Sequence, residues 1–164
     1  MSNLGLELAL AALGGRTVRT PVGDRYVVEE MLRGGYNLGG EQSGHVVFLD
    51  QTTTGDGLIT ALFVLALVVE RGRTLSELRR VMQRTPQVLL NVRVREKREI
   101  AELPLVDQAI RAAQSALEQR GRVVVRYSGT EALARVMIEG ENTDKIQRLA
   151  EDIILAFQSE VGVD

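Results

Sequence analysis

"RYSGTEALARV", residues 126–136, sets an arginine, two hydroxyls, a glycine and a second arginine between two apolar runs. The runs are "RVVVRYS" (122–128) and "LARVMIEGE" (133–141), rich in the β-branched residues that suit strands. Ser-Gly-Thr-Glu-Ala reads as the connection between them. An ordinary turn uses the glycine but has no need of the flanking cations and hydroxyls. A phosphate monoester carries nearly two charges and three acceptor oxygens. Its recognition takes backbone N–H groups in a concave turn, short hydroxyl donors and an arginine for two-pronged contact. Arg126, Ser128, Gly129, Thr130 and Arg135 supply that set. On composition alone, a solvated turn with solvated arginines fits the stretch equally well.

Working outward from this pair of strands, "VLLNVRVRE" (88–96) alternates as a half-buried strand does. "PLVDQAIRAAQSALEQRG" (104–121) reads as a helix with proline in its first turn and glycine at its end. "TDKIQRLAEDIILAFQSE" (143–160) reads as a closing amphipathic helix. Residues 87–164 therefore predict a β-α-β-β-α order, an α+β domain. A boundary is expected at "RTPQ" (84–87), where the pattern restarts.

Before that boundary, residues 1–84 alternate helix and strand signals. "SNLGLELALAALGG" opens with Ser2 or Asn3 as N-cap and stops at Gly14-Gly15. "RTVRTPV" (16–22) predicts a short strand, and "GDRYVVEEMLRGG" (23–35) a helix that Asp24 could cap. A strand is expected at 45–49. "TTTGDG" then caps a helix at 57–71 whose lack of a polar face implies full burial. "TLSELRRVMQR" (74–84) predicts a short helix opened by the Thr74–Glu77 capping-box pattern.

Composition narrows the chemistry. Of 164 residues, 45% are apolar and 26% charged, the balance of a globular protein with a substantial core. The net charge of −2, with both signs interspersed, argues against a nucleic-acid partner. No cysteine is present, which excludes disulfides, thiolate metal sites and cysteine nucleophiles. One histidine, His45, cannot build a histidine-rich metal site. "LITALFVLALVV" (58–69) is too short to span a bilayer, and no basic signal-peptide start is present, so a cytoplasmic location and no membrane partner are expected.

"SGTEALAR" together with "GGEQSGH" (39–45), "TTGDG" and "VGDRYV" resembles the α-D-phosphohexomutases, and the likeness runs over essentially the whole chain. The resemblance implies an α/β partial domain like the third domain of that superfamily over 1–84. An α+β domain like its C-terminal domain would follow over 87–164. It implies that Arg126, Ser128, Gly129, Thr130 and Arg135 hold the non-reacting phosphate of a phosphosugar. Glu41 and Ser43 would bind sugar hydroxyls, Arg25 would be a cleft-facing ligand, and His45 would lie near the transferring phosphate as a donor or proton-transfer aid. By itself "GGEQSGH" is also a plain glycine-rich turn, and a histidine before a strand is more often a structural hydrogen-bonder.

The sequence departs from the superfamily pattern at Tyr127 and Ala132, where prolines are usual, so a looser loop is expected. The likeness is nearest to the branch acting on glucosamine phosphates. It implies an isomerase that interconverts the 6- and 1-phosphates through a bisphosphate. The alternatives are a mutase for plain hexoses and a non-catalytic phosphosugar-binding module. The phosphoserine and the Asp-Gly-Asp loop that binds Mg²⁺ belong to domains that would precede these residues, so the chain alone is expected to be inactive. Those domains are its expected partners. An apolar face of residues 1–84 is expected to be exposed, because a strand of that domain would lie before Met1.

Overall fold

The computed structural model describes residues 1–118 and 120–163. It divides into two compact units, Met1–Gln83 and Arg84–Asp164.

In the second unit a seven-residue strand, β3 (Gln87–Arg93), is followed by a helix, α5 (Pro104–Leu117). The strands β4 (Gly121–Tyr127) and β5 (Leu133–Gly140) come next, and α6 (Thr143–Val161) closes the unit. This is the expected β-α-β-β-α order. The three strands form an antiparallel sheet in the order β3-β5-β4. Alternation puts Val88 and Val92 of β3 and Ala134, Val136 and Ile138 of β5 on one face. There they pack against Val106, Ala113 and Leu117 of α5 and Ile146, Ile153 and Phe157 of α6. Both helices cover that single face, which is why each carries one apolar stripe. Asn142 caps α6 by accepting the Lys145 N–H at 2.9 Å. The first turn of α5 is held by Glu160, whose Oε2 accepts the Val106 N–H at 3.1 Å.

The expected glycine stop of α5 is not where the helix ends. α5 finishes at Leu117, and Glu118 takes a left-handed φ of 53°; the part of the expected helix at Gln119 lies outside the described residues. Gly121 instead begins β4, where a Cβ would meet the Glu139 carbonyl oxygen at 2.6 Å. The close approach of two strands, rather than a helix cap, requires this glycine.

The first unit contains α1 (Leu4–Ala12), capped by Asn3, and α2 (Asp24–Gly34). The hairpin strands β1 (Leu38–Gly40) and β2 (Val46–Phe48) follow, then α3 (Gly57–Arg71) and a four-residue helix, α4 (Leu75–Leu78). Four expectations are corrected here. Residues 16–22 form no strand, because no ladder partner is present among the described residues and Pro21 has no N–H to give. A strand at 38–40 was not foreseen; it forms because "LGG" pairs with "VVF" across the 41–45 loop, and Gly39 leaves room for Met31 and Val27 of α2. The helix at 74–84 ends at Leu78 and gives way to a 3-10 turn with non-helical Arg80.

The fourth correction is the largest. α3 is not buried: none of its residues is, and Leu58 and Val69 are 79% and 80% exposed. The cause is size. The unit's core consists of Val27, Met31 and Val47 with three partly buried neighbours, and its two-stranded sheet offers α3 little more than the Phe48–Phe63 stack at 4.2 Å. Among the described residues no helix is long and apolar enough to cross a membrane.

Candidate functional site

The residues singled out from the sequence lie in or beside two loops, one in each unit, with Arg25 in the first turn of α2. In the second unit, β4 and β5 pair so that Arg126 stands directly opposite Arg135. Facing residues of an antiparallel pair project to the same side with Cβ atoms about 5 Å apart, and like charges there repel. Four residues along the same face, Arg122 stands opposite Glu139, and that pair is complementary: the guanidinium meets the fully buried carboxylate at 2.6 Å. The sheet thus places one neutralised pair and one cationic pair on a single face, and the cationic pair lies at the loop end. Arg93 of β3, facing Leu133, adds a third guanidinium on that side.

Between the arginines, Ser128 is buried (4% exposed) and its N–H bonds the Leu133 carbonyl at 2.8 Å. Its Oγ lies 3.3 Å from the Glu131 N–H and 3.4 Å from Arg135 Nη2. Arg135 Nη2 also reaches Glu131 Oε2 at 3.0 Å. In this state the Ser128 hydroxyl and Arg135 are occupied inside the loop by the Glu131 carboxylate, an internal anion seated among groups expected to bind an external one. Gly129 and Thr130 differ. Among the described residues no acceptor takes their backbone N–H groups.

Gly129 is informative for a second reason. Its φ is not left-handed, and a Cβ there would have nothing within 4 Å. Neither backbone conformation nor a protein neighbour requires glycine at this position. The space in front of it is open.

The departures from the usual prolines have local compensation. The Tyr127 ring stands edge-on to Phe157, with centroids 6.1 Å apart at 79°, and fixes the end of β4 to α6. Burial pushes the Tyr127 phenol above its ordinary pKa, against a smaller opposing effect of the Arg98 backbone and charge. The Ala132 carbonyl accepts the Val94 N–H at 3.0 Å. The segment after β3 therefore ties down both ends of the loop, since Lys97 Nζ also donates to the Ser128 carbonyl at 2.7 Å. Sequence reasoning passed over Lys97 and Arg93. Their signal was present in "NVRVREKRE", an alternating strand running out into a basic loop beside the sheet end.

In the first unit the 41–45 loop closes the β1–β2 hairpin, with the Glu41 N–H on the His45 carbonyl at 2.8 Å. Glu41 Oε1 accepts the Gly23 N–H at 2.8 Å, so the "VGDRYV" segment is drawn against this loop. Ser43 Oγ bridges Glu41 Oε2 at 3.3 Å and His45 Nδ1 at 3.1 Å. The three expected ligands form one chain of hydrogen-bonding groups, with Glu41 mostly enclosed and His45 about half exposed. Arg25, in the first turn of α2, pairs with Glu29 at 2.6 Å, which raises its pKa; its side chain is otherwise in solvent. Carboxylate, hydroxyl and imidazole in sequence suit the adjacent hydroxyls of a sugar. Among the described residues no group of three or more His, Cys, Asp or Glu side chains is placed to hold a metal ion. The donor set does not fit Mg²⁺, and no chemical step is assigned to a metal here.

The phosphoglucomutase/phosphomannomutase profile for an alpha/beta/alpha domain III matches residues 1–85, and that for the C-terminal domain matches residues 89–156. The phosphoglucosamine mutase of Geobacter metallireducens is 53% identical over 162 residues, covering 99% of this chain and 36% of that protein. That of Anaeromyxobacter dehalogenans is 58% identical over 162 residues, covering 99% and 35%. The chain thus spans about a third of the length of these relatives. Among solved structures, an Aspergillus fumigatus N-acetylphosphoglucosamine mutase variant in complex with glucose 1,6-bisphosphate superposes with a TM-score of 0.77 at 22% identity, covering 99% of this chain and 38% of that one. The same fungal enzyme in complex with GlcNAc-6P and magnesium gives 0.73 at 22% identity, covering 94% and 39%. At that identity the likeness speaks for the fold.

Proposed function

This chain belongs to the phosphoglucomutase/phosphomannomutase family, with an α/β domain III region followed by the α+β C-terminal domain, and from that premise we propose that it is the phosphosugar-holding part of a phosphoglucosamine mutase. In the whole protein, glucosamine 6-phosphate and glucosamine 1-phosphate interconvert. A phosphoserine gives its phosphoryl group to the sugar, and the other phosphate of the resulting bisphosphate returns to serine. Among the described residues no donor set fits Mg²⁺; residues elsewhere in the whole protein would hold it, where it would supply neutralisation of the phosphoryl charge. The residues here supply orientation, from which much of the rate of such transfers derives.

Arg126, Arg135 and the N–H groups of Gly129 and Thr130 hold the phosphate that stays in place. Glu41 and Ser43 accept and donate to sugar hydroxyls, and His45 waits beside Ser43 near the reacting end. Arg25, released from Glu29, is the least committed of these ligands. The cytoplasm, where sugar phosphates are made and used, is the proposed location.

One observation carries this reading: Arg126 and Arg135 face each other in register beside the Gly129 and Thr130 N–H groups, which have no acceptor among the described residues. An anion between the guanidinium groups turns a repulsive pair into an attractive one. An NMR titration of the 164-residue chain with glucosamine 6-phosphate is expected to move the amides of residues 126–135. Arg126→Ala and Arg135→Ala should each weaken binding by about tenfold or more, since charge-assisted contacts contribute roughly 1.5–3 kcal/mol. Unmoved amides, or parent-like binding by both variants, would refute the reading. The choice of the amino sugar over plain hexoses is supported by the 53% and 58% identities to phosphoglucosamine mutases. Comparing kcat/KM for the two substrates in the full-length protein tests it.

A further inference from the structure

We propose that Lys97 is a positioning residue for the phosphate cradle, acting through the Ser128–Gly129 peptide. The inference rests on the reading of residues 126–135 as a phosphate site and deepens it. Lys97 Nζ donates to the Ser128 carbonyl oxygen at 2.7 Å from the segment that follows β3. The Ser128–Gly129 peptide is trans, as are all peptides among the described residues, and in a trans peptide the C=O and the N–H point to opposite sides. Fastening the Ser128 carbonyl to Lys97 therefore fixes the Gly129 N–H on the side away from Lys97.

That N–H, like that of Thr130, has no acceptor among the described residues, and the space in front of Gly129 is open. A peptide leading into glycine turns over easily, because glycine tolerates either backbone half-plane. Without the tether, the donor and the carbonyl would exchange sides, and a carbonyl oxygen aimed at a phosphate repels it. The rest of the segment is well placed to serve as the anchor. Val94 bonds the Ala132 carbonyl at the far end of the loop and bridges to Gly162, so Lys97 extends from a base fixed to both β5 and the end of α6. Lys97 itself is exposed, so its replacement leaves the core intact.

The test uses the 164-residue chain, isotope-labelled for NMR, with inorganic phosphate and glucosamine 6-phosphate as probes. Lys97→Met is expected to weaken both by about tenfold or more, the effect of misplacing one donor to a charged group. The loss should persist at about 0.5 M salt, where the screening length falls to about 4 Å. Lys97→Arg, which keeps a donor within reach, should recover most of the affinity, and the free-state Gly129 amide shift should move in Lys97→Met but not in Lys97→Arg. Binding by Lys97→Met within twofold of the parent overturns the inference while leaving the cradle standing. So does a loss that vanishes at high salt, which would make Lys97 a mere point charge. If the parent shows no phosphate-dependent shift at residues 126–135, the cradle reading fails, and the role of Lys97 fails with it.

Discussion

Replacing Arg126 by Met should stabilise the second unit while it weakens phosphate binding. Methionine keeps most of the aliphatic stem and removes only the charge. In the unliganded protein Arg126 faces Arg135, and among the described residues its guanidinium meets no carboxylate. Arg135 has Glu131, but that pair is roughly half in solvent and contributes about 0–1 kcal/mol. For two charges about 6 Å apart, Coulomb's law gives about 0.7 kcal/mol at the dielectric of water and about 3 kcal/mol at an effective value near 20. Cross-strand pairs measured in proteins lie at about 0.2–1 kcal/mol, so a gain of about 0.5 kcal/mol at low salt is expected. Hydrogen exchange of the β5 amides, Val136 and Ile138 above all, reads that gain within the unit concerned. The gain should shrink as salt screens the repulsion. Phosphate binding should fall by about tenfold or more in the same variant. An Arg126→Met protein that is less protected at β5, or that binds phosphate like the parent, would show that the pair is not held apart for an anion.

The pure 164-residue chain should form no glucosamine 1-phosphate in a coupled assay, even with Mg²⁺ and a sugar bisphosphate; measurable turnover would refute this. Amides of residues 1–83 should exchange faster than those of 87–163, since three buried apolar residues form one core and fifteen the other; equal protection would contradict it. Glu131→Gln should tighten phosphate binding by up to about fivefold, because the internal carboxylate no longer occupies Arg135 and Ser128, and titration calorimetry would register the change. Burial raises the Tyr127 pKa, so the folded state holds that proton more tightly than the unfolded chain does. The resulting stability is complete below the ordinary tyrosine pKa of about 10 and is lost as pH climbs through the higher folded value. In an absorbance titration Tyr127→Phe should remove a tyrosine step lying above the ordinary range; a variant that keeps that step would show that Tyr127 is not the raised group.

The sequence by itself determined the second unit almost completely. Alternation in "VLLNVRVRE", "RVVVRYS" and "LARVMIEGE" and the apolar stripes of two helices all refer to one shared face, so local pattern and global fold agree. It also singled out candidates in both loops: arginines, hydroxyls and glycine in close succession suit a phosphate, and the resemblance to the α-D-phosphohexomutases pointed to Glu41, Ser43 and His45. Tertiary structure decided what no local pattern contains. The register that sets Arg126 against Arg135 and Arg122 against Glu139 depends on where two strands align. The tether from Lys97 to Ser128 joins residues 31 positions apart. In the first unit the expectation of an exposed apolar face holds and that of a fully buried α3 fails, since the apolarity of α3 measures a capacity for burial and not its fulfilment. Whether Leu58 or Val69 is covered depends on surface supplied by other residues, and the small hairpin and short helices of residues 1–83 supply too little of it.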